Sequence, residues 1–91
     1  MAVAVVLEVP GGTKEQYEQT IGELGISGAQ LAPGQLVHVA GPIAGGWQVV
    51  NVYESQEAAD TWNEKVMAAR KKAGMPEPLP PKIFPVHRLA K

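Results

Sequence analysis

The chain has 91 residues, of which 45% are apolar and 19% are charged, and its formal net charge at pH 7 is −1. This length fits one small domain over residues 1–91 and leaves no room for a second one. Eight Lys and Arg against nine Asp and Glu provide no basic excess to neutralise phosphates. The balance therefore argues against a nucleic-acid or membrane-surface binder.

A domain of this size buries only roughly 64% of the surface that its unfolded chain exposes. Such domains commonly recruit disulfides, a metal or a partner subunit. The chain contains no cysteine, which excludes disulfides and thiolate metal sites. We therefore expect a partner subunit.

The first predicted element is a strand over residues 2–9, and both of its alternating faces are apolar. A strand of this kind belongs in the middle of a sheet. The apolar run lacks a basic region and is interrupted by Glu8, so it is too short for a signal peptide or a membrane span. We expect a cytoplasmic protein without a membrane contact.

A helix is predicted next, because Thr13 and Gln16 have the spacing of a capping box. Its apolar stripe is Tyr17, Ile21 and Leu24, and Gly25 is a natural stop. A turn-rich loop over residues 26–34 follows.

Two further strands, over residues 35–40 and 47–53, are predicted to form a hairpin through the glycine-rich loop 41–46. If Ala40 pairs with Trp47, alternation places four valines on one face, at positions 37, 39, 50 and 52. His38, Trp47, Asn51 and Tyr53 then share the other face. The valine face suits helix packing, so we expect the polar and aromatic face to point away from the helices.

The second predicted helix begins at Ser55, which acts as its N-cap, with Glu57 in the first turn. Its buried stripe is predicted to be Ala58, Trp62, Val66 and Ala69 or Ala73. The cations at residues 70–72 complement the helix dipole, and we interpret them as a solvated helix end. Gly74 is predicted to end the helix.

Residues 75–81 are predicted to be a stiff, proline-rich connector, and a last strand is predicted over residues 83–89. Pro85 cannot donate a ladder hydrogen bond, so this strand must lie at a sheet edge or carry a bulge.

The order of elements predicts an α+β fold of the ferredoxin-like βαββαβ type, a four-stranded antiparallel sheet with two helices on one face. Right-handed crossovers put the first and third strands in the middle. The sheet face without helices would be exposed in a lone protomer. We therefore expect a homodimer that buries this face against a second copy.

Two stretches carry a family resemblance, HVAGP at residues 38–42 and GWQVVNVYESQEA at residues 46–58. They resemble the small dimeric α/β-barrel proteins, in particular antibiotic-biosynthesis-monooxygenase-like members, and as a fold the resemblance covers nearly the whole chain. That superfamily includes cofactor-free oxygenases of polyketide aromatics, lactone isomerases, polyketide cyclases and haem-degrading enzymes. The resemblance implies a dimeric α/β barrel more strongly than it implies a reaction.

The chain departs from two patterns of that superfamily. Quinone-forming oxygenases resemble one another in an Asn four residues before the strand-end aromatic, but here Val49 precedes Tyr53 at that spacing and Asn51 lies two residues further on. Haem-degrading members use a helical His, and neither predicted helix contains one. We expect no haem and no other cofactor.

His38 and Asn51 are the candidate catalytic residues. A histidine in an apolar strand can act as a general base near neutral pH, and a mid-strand amide can steady an enolate or oxyanion. The alternatives are a hydrogen-bonded core or interface histidine and an amide bonded across the sheet. Two histidines far apart in sequence, at positions 38 and 87, do not form a metal motif.

Aromatic side chains are candidates for a substrate pocket, because ligand sites are mostly apolar with a few polar groups. They are Tyr17, Trp47, Tyr53 and Trp62. The alternative for Tyr17 and Trp62 is simple core packing, because both lie on predicted helix stripes. His87 is interpreted as a solvated or dimer-contact residue.

These candidates support a cofactor-independent, monooxygenase-like enzyme that removes a proton from a small aromatic or polyketide-like molecule. His38 would take the proton and Asn51 would steady the resulting enolate. The alternatives are a polyketide cyclase or isomerase of the same fold and a non-catalytic dimeric protein that binds a hydrophobic ligand. An enclosed cavity that touches both His38 and Asn51 would favour the enzyme.

Overall fold

A computed structural model describes residues 1–90, and Lys91 lies outside the described part. Six elements follow one another as β1 (Val3–Pro10), α1 (Lys14–Glu23), β2 (Gln35–Ile43), β3 (Gly46–Tyr53), α2 (Gln56–Ala73) and β4 (Lys82–Pro85). The predicted α+β class and βαββαβ order are confirmed.

The four strands form one antiparallel sheet in the order β2-β3-β1-β4. The apolar strand β1 is central and Pro85 lies on an edge strand, as predicted. Strand β4 has four residues and is shorter than expected. The reason is that its partner β1 begins at Val3, which pairs with Pro85. Past Pro85 one further bond forms, from Val86 N–H to the Ala2 carbonyl at 2.8 Å, and the pairing ends there.

The two helices are fixed by the caps that the sequence predicts. The backbone N–H of Gln16 donates to Thr13 Oγ1 at 3.2 Å, and Thr13 N–H donates back to Gln16 Oε1 at 3.1 Å. Ser55 caps α2 by accepting from Ala58 N–H, and Gly74 ends α2 in a left-handed conformation with φ of 70°. Gln16 Nε2 also donates to the Gly74 carbonyl at 3.3 Å, which ties the first turn of α1 to the end of α2.

The hairpin strands are longer than predicted, because Gly41 and Pro42 belong to β2. Ala40 pairs with Val49, and Pro42, not Ala40, pairs with Trp47. The turn is therefore short, with Gly45 at a φ of 77°. Pro42 is tolerated there because β2 is an edge strand with one side free of ladder hydrogen bonds.

The predicted sharing of faces is correct, but the face that receives the helices is wrong. The shift in hairpin register is two residues, which preserves alternation. His38 contacts Tyr17 of α1, and Tyr53 packs with Trp62 of α2, so the polar and aromatic face points towards the helices. The large aromatic side chains pack between the layers, and the oxygens of the buried amides find hydrogen-bond partners there.

The core lies between this face and the helices. Its buried cluster comprises Val3, Ala32, Tyr53, Ala59 and Trp62. The opposite face, which we call the open face, carries Val6, Val37, Val39, Val50 and Phe84. Val39 is 58% exposed and Phe84 is 51% exposed.

Candidate active site

A cavity of about 100 Å³ lies between the helices and the sheet, and we call it the first cavity. Most of its wall is apolar, with Leu7, Val9, Ile21, Leu24, Val49 and Trp62. Its polar lining includes Tyr17, Gln35, His38, Asn51 and Arg70. The exposed members of the lining are Gly28 and Gln30 of the α1–β2 loop, so the cavity reaches the surface there.

A second cavity of about 80 Å³ adjoins the first. The two share Leu7, Asn51 and Val66 in their walls. Tyr53 and Ile83 line the second cavity only. Asn51 therefore stands at the boundary between two mostly apolar spaces, and it is itself only 8% exposed.

Four side chains form a continuous hydrogen-bond chain in the first cavity, Tyr17, His38, Asn51 and Gln35. The Tyr17 hydroxyl lies 2.5 Å from His38 Nε2, and His38 Nδ1 lies 2.6 Å from Asn51 Oδ1. Gln35 Nε2 donates to the same Asn51 oxygen at 2.9 Å. The mid-strand polarity of His38 and Asn51 is thus explained by a network that also includes Gln35 and Tyr17.

The backbone fixes the direction of every proton in this hydrogen-bond chain. Ala32 N–H donates to Gln35 Oε1 at 3.1 Å, so the amide nitrogen of Gln35 faces Asn51. Because Asn51 Oδ1 can only accept, the nearby Nδ1 of His38 must carry a proton. Neutral His38 therefore holds its lone pair on Nε2, where it accepts from the Tyr17 hydroxyl.

Tyr17 is held at the end of the hydrogen-bond chain by ring contacts as well as by its hydroxyl. Its ring is nearly parallel to the His38 ring, at 9° and 6.0 Å between centroids, and its centroid lies 5.2 Å from that of Trp47. Burial, with a smaller contribution from Glu18, raises the pKa of Tyr17. Tyr17 therefore remains a phenol, able to donate to His38, at neutral pH.

The remaining aromatic candidates have separate places. Trp62 lines the first cavity and belongs to the buried core. Tyr53 lines the second cavity, and burial raises its pKa. Trp47 lines neither cavity but packs on Tyr17. His87 lies beyond β4 and is exposed, which fits its interpretation as a solvated or dimer-contact residue.

The interpretation of Arg70 as part of a solvated helix end is wrong. Its side chain lines the first cavity, and Nη1 is buried without a hydrogen-bond partner. Burial lowers the pKa of Arg70, while Glu77 raises it by a smaller amount. One sequence signal does point to this position, because the stripe of Ala58, Trp62 and Val66 continues at a spacing of four to Arg70.

Gln35 is a second site residue that the sequence pattern does not indicate. It stands at the first position of β2, beside the register shift between Gln35 and Val37. Simple alternation is interrupted at that point, so the pattern does not assign Gln35 to a face.

The described part of the chain holds neither a metal cluster nor a membrane-spanning helix. Residues 1–90 contain no group of three or more His, Cys, Asp or Glu side chains that could hold a metal ion. Within the same residues, no helix has the length and apolar character needed to cross a membrane.

Comparison with solved structures identifies the fold. A protein from Chloroflexus aurantiacus J-10-fl, provisionally assigned as an antibiotic biosynthesis monooxygenase, superposes with a TM-score of 0.67 at 17% identity. The match covers 99% of this chain and 98% of the other. The two chains share the ferredoxin-like fold. No protein-family model and no curated protein matches the sequence.

Proposed function

We propose that this protein is a cofactor-independent, monooxygenase-like enzyme that removes a proton from a small aromatic or polyketide-like molecule. One observation carries the proposal, the directed hydrogen-bond chain from Tyr17 through His38 to Asn51 in the wall of an apolar cavity. Apolar cavities with a few converging polar groups are typical of substrate sites. The resemblance to antibiotic-biosynthesis-monooxygenase-like proteins supports the same chemistry.

The geometry changes the roles that the sequence suggests. The basic nitrogen of His38 is occupied by the Tyr17 hydroxyl, so a substrate reaches His38 through Tyr17. The Tyr17 oxygen accepts the substrate proton while its own proton passes to His38 Nε2. The imidazolium that results keeps its Nδ1–H bond to Asn51 Oδ1, which stabilises the positive charge.

Asn51 then has a second task at the boundary of the cavities. Its oxygen accepts from both His38 and Gln35, and within residues 1–90 its amide nitrogen makes no hydrogen bond. That N–H group is free to donate to the enolate oxygen of a bound substrate. The enolate is the common intermediate for reaction with dioxygen, ring closure and isomerisation, so the three reactions differ only after this step.

The cavity also limits the size of the substrate. A cavity of about 150 Å³ in another protein accommodates benzene, so the smaller cavity here, of about 100 Å³, accepts at most one small ring. A larger molecule would insert one ring and leave the rest near Gly28 and Gln30, where the cavity opens.

The proposal is tested by deuterium exchange at the α-carbon of cyclohexanone and 1-indanone in D₂O, followed by proton NMR. We expect the protein to accelerate exchange and Tyr17→Phe or His38→Gln to reduce the acceleration about 10²-fold or more, the usual contribution of a positioned acid or base. His87→Gln is the matched control and should behave like the natural chain. Binding of both ketones without accelerated exchange would refute the enzyme and favour the non-catalytic alternative.

The proposal includes a homodimer through the sheet face without helices, which carries the valines and Phe84 instead of the His38 group that the sequence pattern assigned to it. The valines and Phe84 of the open face have no helix over them, whereas the His38 face is covered. The chain exposes 5808 Å², compared with about 5,100 Å² for an average folded protein of its mass. The excess is similar to the roughly 800 Å² that each partner contributes to a standard interface. Two copies would pack open face to open face, and the enzyme would act in the cytoplasm.

A further inference from the structure

The end of the first cavity formed by the last turn of α2 carries an unmatched positive charge. Arg70 lines the cavity beside Leu7 and Met75, and its Nη1 is buried without a hydrogen-bond partner. A buried donor without an acceptor costs stability, more so when the group is charged. The packing of the aliphatic part of Arg70 explains why the side chain is partly buried, but it leaves Nη1 without an acceptor.

No carboxylate within residues 1–90 neutralises this charge directly. Glu77 acts on Arg70 from a distance, and the ion pair formed in that part of the chain joins Lys72 and Glu23 instead. The neighbouring lining residues Leu7, Val66 and Met75 offer no anionic group. A ligand that enters the cavity can supply the acceptor that Arg70 lacks.

Arg70 and Tyr17 enter the cavity from adjacent helix ends. The Gln16 side chain bonds to the Gly74 carbonyl, and Thr20 Oγ1 lies 3.9 Å from the Met75 sulfur. These contacts hold the first turns of α1 against the end of α2. A ligand in this small cavity therefore has Arg70 and the Tyr17 hydroxyl in the same enclosure.

We propose that Arg70 makes the first cavity a site for organic anions, specifically a small planar ring that carries a carboxylate. The guanidinium accepts the carboxylate through charge-assisted hydrogen bonds, and the ring fills the apolar part of the cavity. The use of such a ligand as substrate rests on the proposed function, whereas its binding does not. The substrate class is then narrowed to aromatic or enolic acids.

The test compares benzoate with benzamide, which has the same shape without the charge, by following protein amide shifts in NMR titrations. We expect the natural chain to bind benzoate about tenfold or more tightly than benzamide, the usual range for a charge-assisted hydrogen bond. Arg70→Gln and Arg70→Met should abolish this preference and leave benzamide binding unchanged. Benzamide binding thus also shows that each variant is folded.

Lys71→Gln is the matched control, because Lys71 is the adjacent cation, is exposed and does not line the first cavity. It should retain the preference for benzoate. Equal affinities of the natural chain for benzoate and benzamide, failure of both probes to bind, or an equal loss in Lys71→Gln would overturn the proposal. If the preference depends on Arg70 but Tyr17→Phe leaves deuterium exchange unchanged, the anion site stands and the enzyme proposal fails. Accelerated exchange without any preference for benzoate would support the enzyme and overturn the anion site.

Discussion

The two faces of the sheet differ in what their side chains require. The helix-facing side buries two amides, Gln35 and Asn51, each 8% exposed, and joins them to each other and to the Ala32 N–H group through specific hydrogen bonds. The open face carries valines and one phenylalanine, which need only apolar contact. Residues of the helix-facing side therefore need particular hydrogen-bond partners, whereas residues of the open face need only to be covered by another apolar surface. The proposed chemistry inside the protomer and the proposed association at its outside both rest on this difference.

The largest effect is expected from removing the amide that joins the hydrogen-bond chain. Asn51→Leu would leave His38 Nδ1–H and the Gln35 amide without their acceptor, and each unsatisfied buried donor costs about 1–3 kcal/mol. We expect the free energy of unfolding, measured by urea denaturation, to fall by on the order of 3 kcal/mol. Gln48→Leu replaces an amide of the same strand on the open side and should change it by about 0.5 kcal/mol or less.

The same variant tests the proton assignment. Imidazole ¹⁵N shifts of the natural chain should show His38 protonated on Nδ1, and in Asn51→Leu this preference should disappear. Unchanged stability together with an unchanged His38 tautomer would mean that Asn51 does not organise the hydrogen-bond chain.

Substitutions on the open face should weaken dimer formation and leave the stability of the single protomer nearly unchanged. Val39 is the most exposed of its valines at 58%, so Val39→Lys should change the stability of a single protomer by about 0.5 kcal/mol or less. Two facing lysines in a two-fold interface would instead repel each other and weaken the dimer. Sedimentation should show a dimer for the natural chain at micromolar concentration and a monomer for Val39→Lys.

Val39→Thr is the control for this experiment, because it keeps the shape of the side chain without adding charge. It should remain largely dimeric. A natural chain that sediments as a monomer would contradict the dimer proposal, and a dimer that survives Val39→Lys would place the interface elsewhere.

The smallest effect is expected for the loss of stability at alkaline pH, and only when a tyrosine of the helix-facing side is replaced. Burial raises the pKa of both Tyr17 and Tyr53 from 10.0, so the folded chain holds these protons more tightly than the unfolded chain. Their contribution to stability should be complete below pH 10 and fall as the pH rises through the raised values. Tyr53→Phe should make the alkaline loss less steep in denaturation series, whereas Val50→Thr on the open face should not alter it. If stability fell equally steeply with pH in the natural chain, in Tyr53→Phe and in Val50→Thr, the contribution of the buried Tyr53 would be contradicted.

The sequence is sufficient for the order of elements, for both caps and for the sharing of faces. Alternation groups His38 with Asn51 correctly, because a shift of two residues preserves it. It does not indicate which face meets the helices, because valines on one face and large aromatic side chains on the other can both pack against a helix. That choice depends on tertiary partners such as Tyr17 and the Ala32 N–H group, which the strand pattern does not contain.

Two site residues escape sequence reasoning for different reasons. Arg70 stands in a run of three cations at a helix end, where exposed positive charge is the usual arrangement. Its position on the apolar stripe becomes decisive only once the cavity is known. Gln35 lies beside a strand irregularity, and its side chain is oriented by the backbone N–H of Ala32, which donates to Gln35 Oε1. A backbone donor of this kind has no sequence signature.

The hydrogen bond from Ala32 N–H to Gln35 Oε1 links the loop at the mouth of the first cavity to the direction of the hydrogen bonds from Gln35 to Tyr17. Ala32 belongs to the same α1–β2 loop as Gly28 and Gln30, which stand where the first cavity opens. Outward displacement of this loop would release the Gln35 amide, and a free amide can rotate and present its oxygen to Asn51. The hydrogen bonds that link Gln35, Asn51, His38 and Tyr17 would then have no fixed donor and acceptor until the loop returned. The proposed proton relay would thus depend on a backbone contact in the loop at the mouth of the first cavity.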